Sequence, residues 1–406
     1  MTHTAMVISG IFLLQLLNPS NNSLVAAAAS IGLNLAILSP VFWVPKTKLG
    51  PNTLKMVFMV LLAFHSCSVG LGILEVYLPG RFSRESQITA SLNEDIAEGL
   101  KVTLSDGTKV YRPMGLTDSP GGAAVSGYLT VLLATGLLLF KPRLLYKIYL
   151  CACIPAGIFC LFICQVRSLL LITIVCELTI FSIVTMRGEF HRLATLLVLL
   201  PAAIVGGAAW AFFKGGDQVA DRFSSLTESR FDEVYYSNRG IFLEDTFFNV
   251  LPQFPLGAGL GRWGMIHTYF GDKSSTAPFS LYAEIQSTAW IYDGGVLLMG
   301  LYYFVILFSI WNSAKTVFKS DGVVSDLATV VVGLNLATLA TTFGSIPFIG
   351  QSGVVFWLLN TGLVAVGSGR KMTQSFEKAI TRRRLSAKNF LKTRKDRPNE
   401  NASQFT

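Results

Sequence analysis

Residues 144–186 read LLYKIYLCACIPAGIFCLFICQVRSLLLITIVCELTIFSIVTM, and the fold class follows from how little interrupts them. Two apolar runs, Leu144 to Cys164 and Ser168 to Met186, flank a connection of two to four residues, Gln165-Val166-Arg167-Ser168. Each run is about 20 residues long, which as a helix crosses roughly 30 Å of hydrocarbon. The pair therefore reads as two membrane spans joined by a tight turn, with a charge in the turn and one ionisable residue, Glu177, in the middle of the second span.

Working outward, the same pattern recurs. Further spans are expected near Thr4 to Leu17, Leu24 to Val44, Leu54 to Leu78, Ala123 to Phe140, Leu193 to Phe212, Thr288 to Trp311, Val323 to Thr342 and Gly353 to Val366. That makes an all-α polytopic membrane protein of about 10 transmembrane helices. The composition agrees: 51% of the 406 residues are apolar, 14% are charged and the mean hydropathy is +0.53, which excludes a soluble enzyme, a secreted disulfide scaffold and a disordered chain. Met1 to Thr4 carry no Lys or Arg ahead of the first run, so a signal peptide is not expected. Six cysteines all fall inside apolar runs and read as small hydrophobes, neither disulfides nor metal ligands.

Charge sets the expected orientation. Of the net +9, the last 37 residues hold +8, eleven Lys or Arg against Glu377, Asp396 and Glu400. This divides the chain into a transmembrane domain, 1–369, and a basic tail, 370–406. The tail fits a cytoplasmic terminus beside anionic lipid and not a nucleic-acid partner. Lys46 and Lys48, Lys141, Arg143 and Lys147, Arg187 and Arg192, and Lys315 and Lys319 occupy alternate connections, all on the side of that tail. With ten spans, both termini are then cytoplasmic and two long loops face out, 79–122 and 214–286. In the first, Leu100 to Leu104 and Lys109 to Arg112 alternate around Ser105-Asp106-Gly107-Thr108, a hairpin signal. In the second, Asp221 to Phe248 suggests short amphipathic helices at the membrane surface.

The outward side holds the candidate chemistry. Arg167 sits where the positive-inside bias disfavours it, and its fork of donors suits phosphate or diphosphate oxygens. The alternative is a snorkelling side chain or a partner for Glu75. Arg239 places a second planar cation outward, ahead of Phe254-Pro255-Leu256-Gly257-Ala258-Gly259-Leu260-Gly261, whose alternating glycines let the backbone pass close to a ligand or to a neighbouring helix. Glu284, just before the eighth span, could act as a general base, or could simply favour a helix N-terminus. Trp290 and Tyr292 read as interface anchors, with sugar stacking as the alternative for Trp290. For Glu177 a structural hydrogen bond is favoured over a proton relay. His267, the only outward-loop histidine, lacks partners at ligand spacing, so no metal site is expected.

Together these motifs resemble the bacterial O-antigen ligase and Wzy-type polysaccharide polymerase superfamily, over roughly Tyr111 to Gly300. The segment Arg112-Pro113-Met114-Gly115-Leu116-Thr117-Asp118-Ser119-Pro120-Gly121 looks like the stretch preceding that family's next helix. The resemblance implies a metal-independent, inverting glycosyltransferase without cofactors in the bacterial inner membrane. Its partners would be membrane lipids, a polyprenyl diphosphate-linked oligosaccharide and an acceptor glycan or glycolipid. The family's diphosphate arginines would map onto Arg167 and Arg239. Its ligases place a His base about eleven residues before the Gly of the following span, and here that position is Glu284, which favours a polymerase or a divergent ligase. Arg112, Arg262, Gly257, Gly259 and Trp290 are the expected substrate-binding residues. A transporter or flippase of lipid-linked oligosaccharides is the alternative; broken helices and polar residues within several spans would mark it.

Overall fold

The computed structural model describes residues 1–47, 49–82, 100–103, 107, 109–117, 119–140, 142–213 and 236–367. The basic tail and the stretch 221–235, part of the expected amphipathic region, lie outside the described residues.

The described chain forms helices α1 (Thr2–Gln15), α2 (Leu24–Leu38), α3 (Pro51–Tyr77), α4 (Gly122–Leu138), α5 (Leu144–Ile163), α6 (Arg167–Met186) and α7 (Ala194–Phe213). After these come α8 (236–253), α9 (Gly264–Phe270), α10 (Gln286–Lys319), α11 (Val323–Thr341) and α12 (Gln351–Gly367). Between α3 and α4, strands β1 (Lys101–Thr103) and β2 (Lys109–Tyr111) pair antiparallel with Lys101 opposite Tyr111, the expected hairpin.

All ten apolar segments read from the sequence coincide with helices. Among the described residues, α3, α5, α6, α10 and α11 are long and apolar enough to cross a membrane. Helix α2 joins them if its continuation Pro40–Lys46, bent by 46°, belongs to the same span, while Thr2–Gln15, Gly122–Leu138, Ala194–Trp210 and Gln351–Gly367 are shorter apolar helices. The chain is an all-α membrane protein with one small hairpin.

Helix α4 is the hub of the larger core, buried from Ala123 to Leu137 among α3, α5, α6 and α11. Lipid tails are as apolar as Leu, so helices in a bilayer gain by close van der Waals approach through small residues. Gly127 and Gly157 face each other so tightly that a Cβ on either would come within 3.1 Å of the other's carbonyl oxygen, and one on Gly136 would strike Val330. A second core gathers α1, α2, α10 and the loop after α8. Trp290 lies inside it, 2% exposed, stacked on Tyr302 at 4.6 Å between ring centres and flanked by Tyr303 and Phe348. Trp290, expected as an interface anchor or a sugar-stacking residue, is packed among rings of its own core here.

Helix α10 is broken at Gly294 (φ −169°, ψ 19°) and Gly295 (φ 69°, ψ −163°). Into the break runs the loop Pro255 to Gly261. Val296 N–H donates to the Pro255 carbonyl at 3.0 Å and Ala258 N–H donates to the Tyr292 carbonyl at 2.8 Å, so backbone groups that an intact helix would pair internally are paired across the break.

Candidate functional site

Arg112 sits at one end of the bundle because its loop is strapped to α3. The buried Glu75 Oε2 accepts from Met114 N–H at 2.7 Å and Gly115 N–H at 3.1 Å, and Ser68 Oγ accepts from Leu116 N–H at 3.1 Å. Gly115 (φ 64°) is required there, since a Cβ would lie 2.5 Å from Ser68 Oγ. The turn at Gly121 (φ 83°) brings Arg112 Cδ and Val166 Cγ2 within 4 Å of one point, so Arg112 reaches the connection that carries Arg167. Glu75 is thus the loop's strap.

Arg167 opens α6 two residues after Gln165, a buried non-glycine residue with φ 53°. Left-handed backbone at a residue with a Cβ is uncommon and costs free energy, so the surrounding packing must impose it. Arg239 lies in a π-helical turn, Tyr236–Gly240, at the start of α8. That helix is moored to α10 by Thr246 Oγ1 and Thr288 Oγ1, 2.5 Å apart and buried.

These placements put Arg112 within electrostatic range of Arg167 and Arg239, which come from distant parts of the sequence. Burial first, and then the charges of Arg239 and Arg167, push the Arg112 pKa below its usual value. A guanidinium repelled by two others marks a place where an anion gains. One carboxylate is already there: Glu284 pairs with Arg239, and the Tyr282 hydroxyl donates to its other oxygen. The Tyr282 main chain is in turn held by the Tyr292 hydroxyl at 3.3 Å.

The other expected binding residues lie elsewhere and do different work. Arg262, 5% exposed, gives its guanidinium to main-chain carbonyls: Ala258 at 2.8 Å, and Phe279 at 3.2 and 3.3 Å, with the Phe279 ring beneath it. Gly257 (φ 112°) and Gly259 (φ 98°) press against Gln15 and the Ser20 carbonyl, where a Cβ would come within 2.9 and 2.3 Å. The alternating glycines accommodate the turn between α1 and α2, and Arg262, Gly257 and Gly259, expected as substrate-binding residues, make structural contacts here. Asn21 and Asn22 complete this clasp. Asn21 Oδ1 accepts from Leu260 N–H at 2.7 Å, and Asn22 holds the main chain of Asp272 and Pro278. Replacing Arg262 by Ala is expected to cost about 1–3 kcal/mol for the buried carbonyls left unpaired, read as a lower thermal midpoint; an unchanged midpoint would contradict this role.

Three further residues were missed or only half read. Asp293, buried at the break in α10, accepts from Trp263 Nε1 at 2.8 Å and fixes the entry to α9. Its position next to a Gly-Gly pair was the available signal. Glu177 is buried beside Thr135 of α4, and its Oε1 has no hydrogen-bond partner, so the structural hydrogen bond expected for it is incomplete. The His267 ring lies 3.2 Å from the Gly261 carbonyl. At the opposite end of the bundle, Arg187 and Arg192 share Asp326 at 3.0 and 3.1 Å and Glu189 at 3.0 and 2.7 Å. Neither a protein-family model nor a curated protein matches the chain.

Proposed function

We propose that the protein is an integral-membrane glycan polymerase or ligase. It would transfer sugar chains from a polyprenyl diphosphate carrier to an acceptor sugar hydroxyl, with inversion at the anomeric carbon and without a metal. The observation that carries this reading is the ion pair of Arg239 with Glu284, with Arg112 in electrostatic range of Arg239 and Arg167. A departing diphosphate develops negative charge, and fixed guanidiniums stabilise it without reorganising. Glu284, next to those cations, is the group that would take the acceptor's proton. In this reading the arginine end faces outward across the bacterial inner membrane, ten helices span it and both termini are cytoplasmic.

The direct test incubates the purified protein in liposomes with a polyprenyl diphosphate oligosaccharide and an acceptor glycan. Release of free polyprenyl diphosphate together with a lengthened or transferred glycan supports the proposal, and lipid-linked substrate left intact opposes it. Deleting the gene separates the two versions: glycans limited to one repeat point to a polymerase, full-length chains without their anchor to a ligase. Reporter fusions at Thr108 and Ser275 are expected to report outside and a fusion at Thr406 inside; any other pattern breaks the ten-span arrangement.

The broken helix α10 favours a second reading, a flippase for lipid-linked oligosaccharides, because broken helices often line transport sites. Here the Tyr292 carbonyl and Val296 N–H freed by the break at Gly294 and Gly295 are taken up by Ala258 and Pro255 of the loop, which leaves the transferase reading the better supported. Movement of a fluorescent lipid-linked sugar across protein-containing vesicles without glycan transfer would reverse that preference.

A further inference from the structure

We propose that the Glu284 carboxylate occupies the diphosphate's place on Arg239 in the empty site, so that donor binding is what frees the base. This rests on the transferase reading above. Both oxygens of Glu284 are engaged, one by the Arg239 guanidinium and one by the Tyr282 hydroxyl. A carboxylate oxygen held by a guanidinium is not available to accept the proton of a sugar hydroxyl.

The pair is built to be exchanged. The Arg239 and Glu284 side chains are 36% and 22% exposed, and ion pairs that meet water hold each other weakly. A diphosphate brings more charge and more acceptor oxygens than one carboxylate, and Arg112, in electrostatic range of Arg239 and Arg167, adds to the positive field around it. Once the diphosphate takes Arg239, Glu284 keeps Tyr282 as its holding partner and exposes the oxygen it has lost from the pair. Tyr282 is then a positioning residue, itself steadied through its carbonyl by Tyr292 and beside the Phe242 ring at 6.2 Å.

The chemical step balances on this arrangement. The acceptor O–H proton passes to Glu284 as the acceptor oxygen bonds to the anomeric carbon. The bond from that carbon to the diphosphate oxygen breaks, and its electron pair leaves with the polyprenyl diphosphate, which the three arginines retain. The carrier therefore binds first, and an acceptor that arrives early meets a base already occupied.

The test measures binding of farnesyl diphosphate to the purified full-length protein by calorimetry. Removing a competitor raises affinity, so Glu284→Gln is expected to bind the probe about two- to fivefold more tightly than wild type, equivalent to about 0.4–1 kcal/mol. Glu284→Ala is expected to move in the same direction and serves if the Gln variant fails to fold. Arg239→Ala should bind more weakly. If both Glu284 variants bind equally or more weakly while Arg239→Ala also loses affinity, the exchange is wrong and the diphosphate site stands. If Arg239→Ala binds as wild type does, the diphosphate role of Arg239 falls, and the exchange falls with it.

Discussion

Arg167→Ala and Arg239→Ala are each expected to lower glycan transfer by roughly 100-fold or more, the usual cost of removing one preorganised donor from a developing oxyanion. The loss should fall on the chemical step, because charge on the diphosphate oxygens grows as the anomeric bond breaks and the missing guanidinium is felt most there. Lysine at either position is expected to recover only part of the activity, since an ammonium supplies charge but no planar fork. The measurement is the rate of chain transfer from a polyprenyl diphosphate oligosaccharide in liposomes, normalised to the amount of folded protein. Arg112→Ala should lose activity as well, because Arg112 stands in the electrostatic range of both other arginines. Full activity in both the Arg167 and Arg239 variants would remove the diphosphate site and the function built on it.

Gly295→Ala is expected to damage the fold itself. Its φ of 69° disfavours any residue with a Cβ, and that Cβ would lie 2.1 Å from the Pro255 carbonyl oxygen and 2.7 Å from Leu256 Cα. Neither obstacle is a side-chain tip that can swing aside, so the loop must move. In moving, it gives up the bond from Val296 N–H to Pro255. Backbone strain and overpacking of this kind together cost about 2–5 kcal/mol, enough to deplete the folded protein in a detergent size-exclusion profile. Gly300→Ala is the control. That residue lies in the same helix with nothing within 4 Å of an added Cβ, and the variant is expected to behave as wild type. Equal profiles for the two variants would show that the loop does not lock the break.

Glu284 and Arg239 illustrate how far sequence alone could reach. Each was recognisable as a charged residue in a loop that the positive-inside pattern places outward. Their pairing was not, because it depends on Thr246 and Thr288 mooring α8 beside the start of α10. Glu75 illustrates the reverse. Named in the sequence reading only as an alternative partner for Arg167, it binds two N–H groups of the Arg112 loop, since a carboxylate buried near backbone donors satisfies them. Arg262 carried the same outward-loop signal as Arg239, yet its guanidinium is enclosed and bound to carbonyls. Residue type and topology do not distinguish an arginine paired with a carboxylate from one bound to its own main chain.

What the sequence determined by itself was the all-α membrane class, the ten apolar segments and the division of charge between tail and body. Those properties come from transfer of side chains between water and hydrocarbon, which acts on each segment separately and so is written in local composition. What only the tertiary structure decided was which charged and aromatic residues share a site. That Arg112 lies in electrostatic range of Arg167 and Arg239, and that Trp290, Gly257 and Gly259 pack closely against their neighbours, follows from how the helices meet. Close approach between them rests on glycine contacts and paired backbone groups far apart in the chain, and no local pattern encodes those.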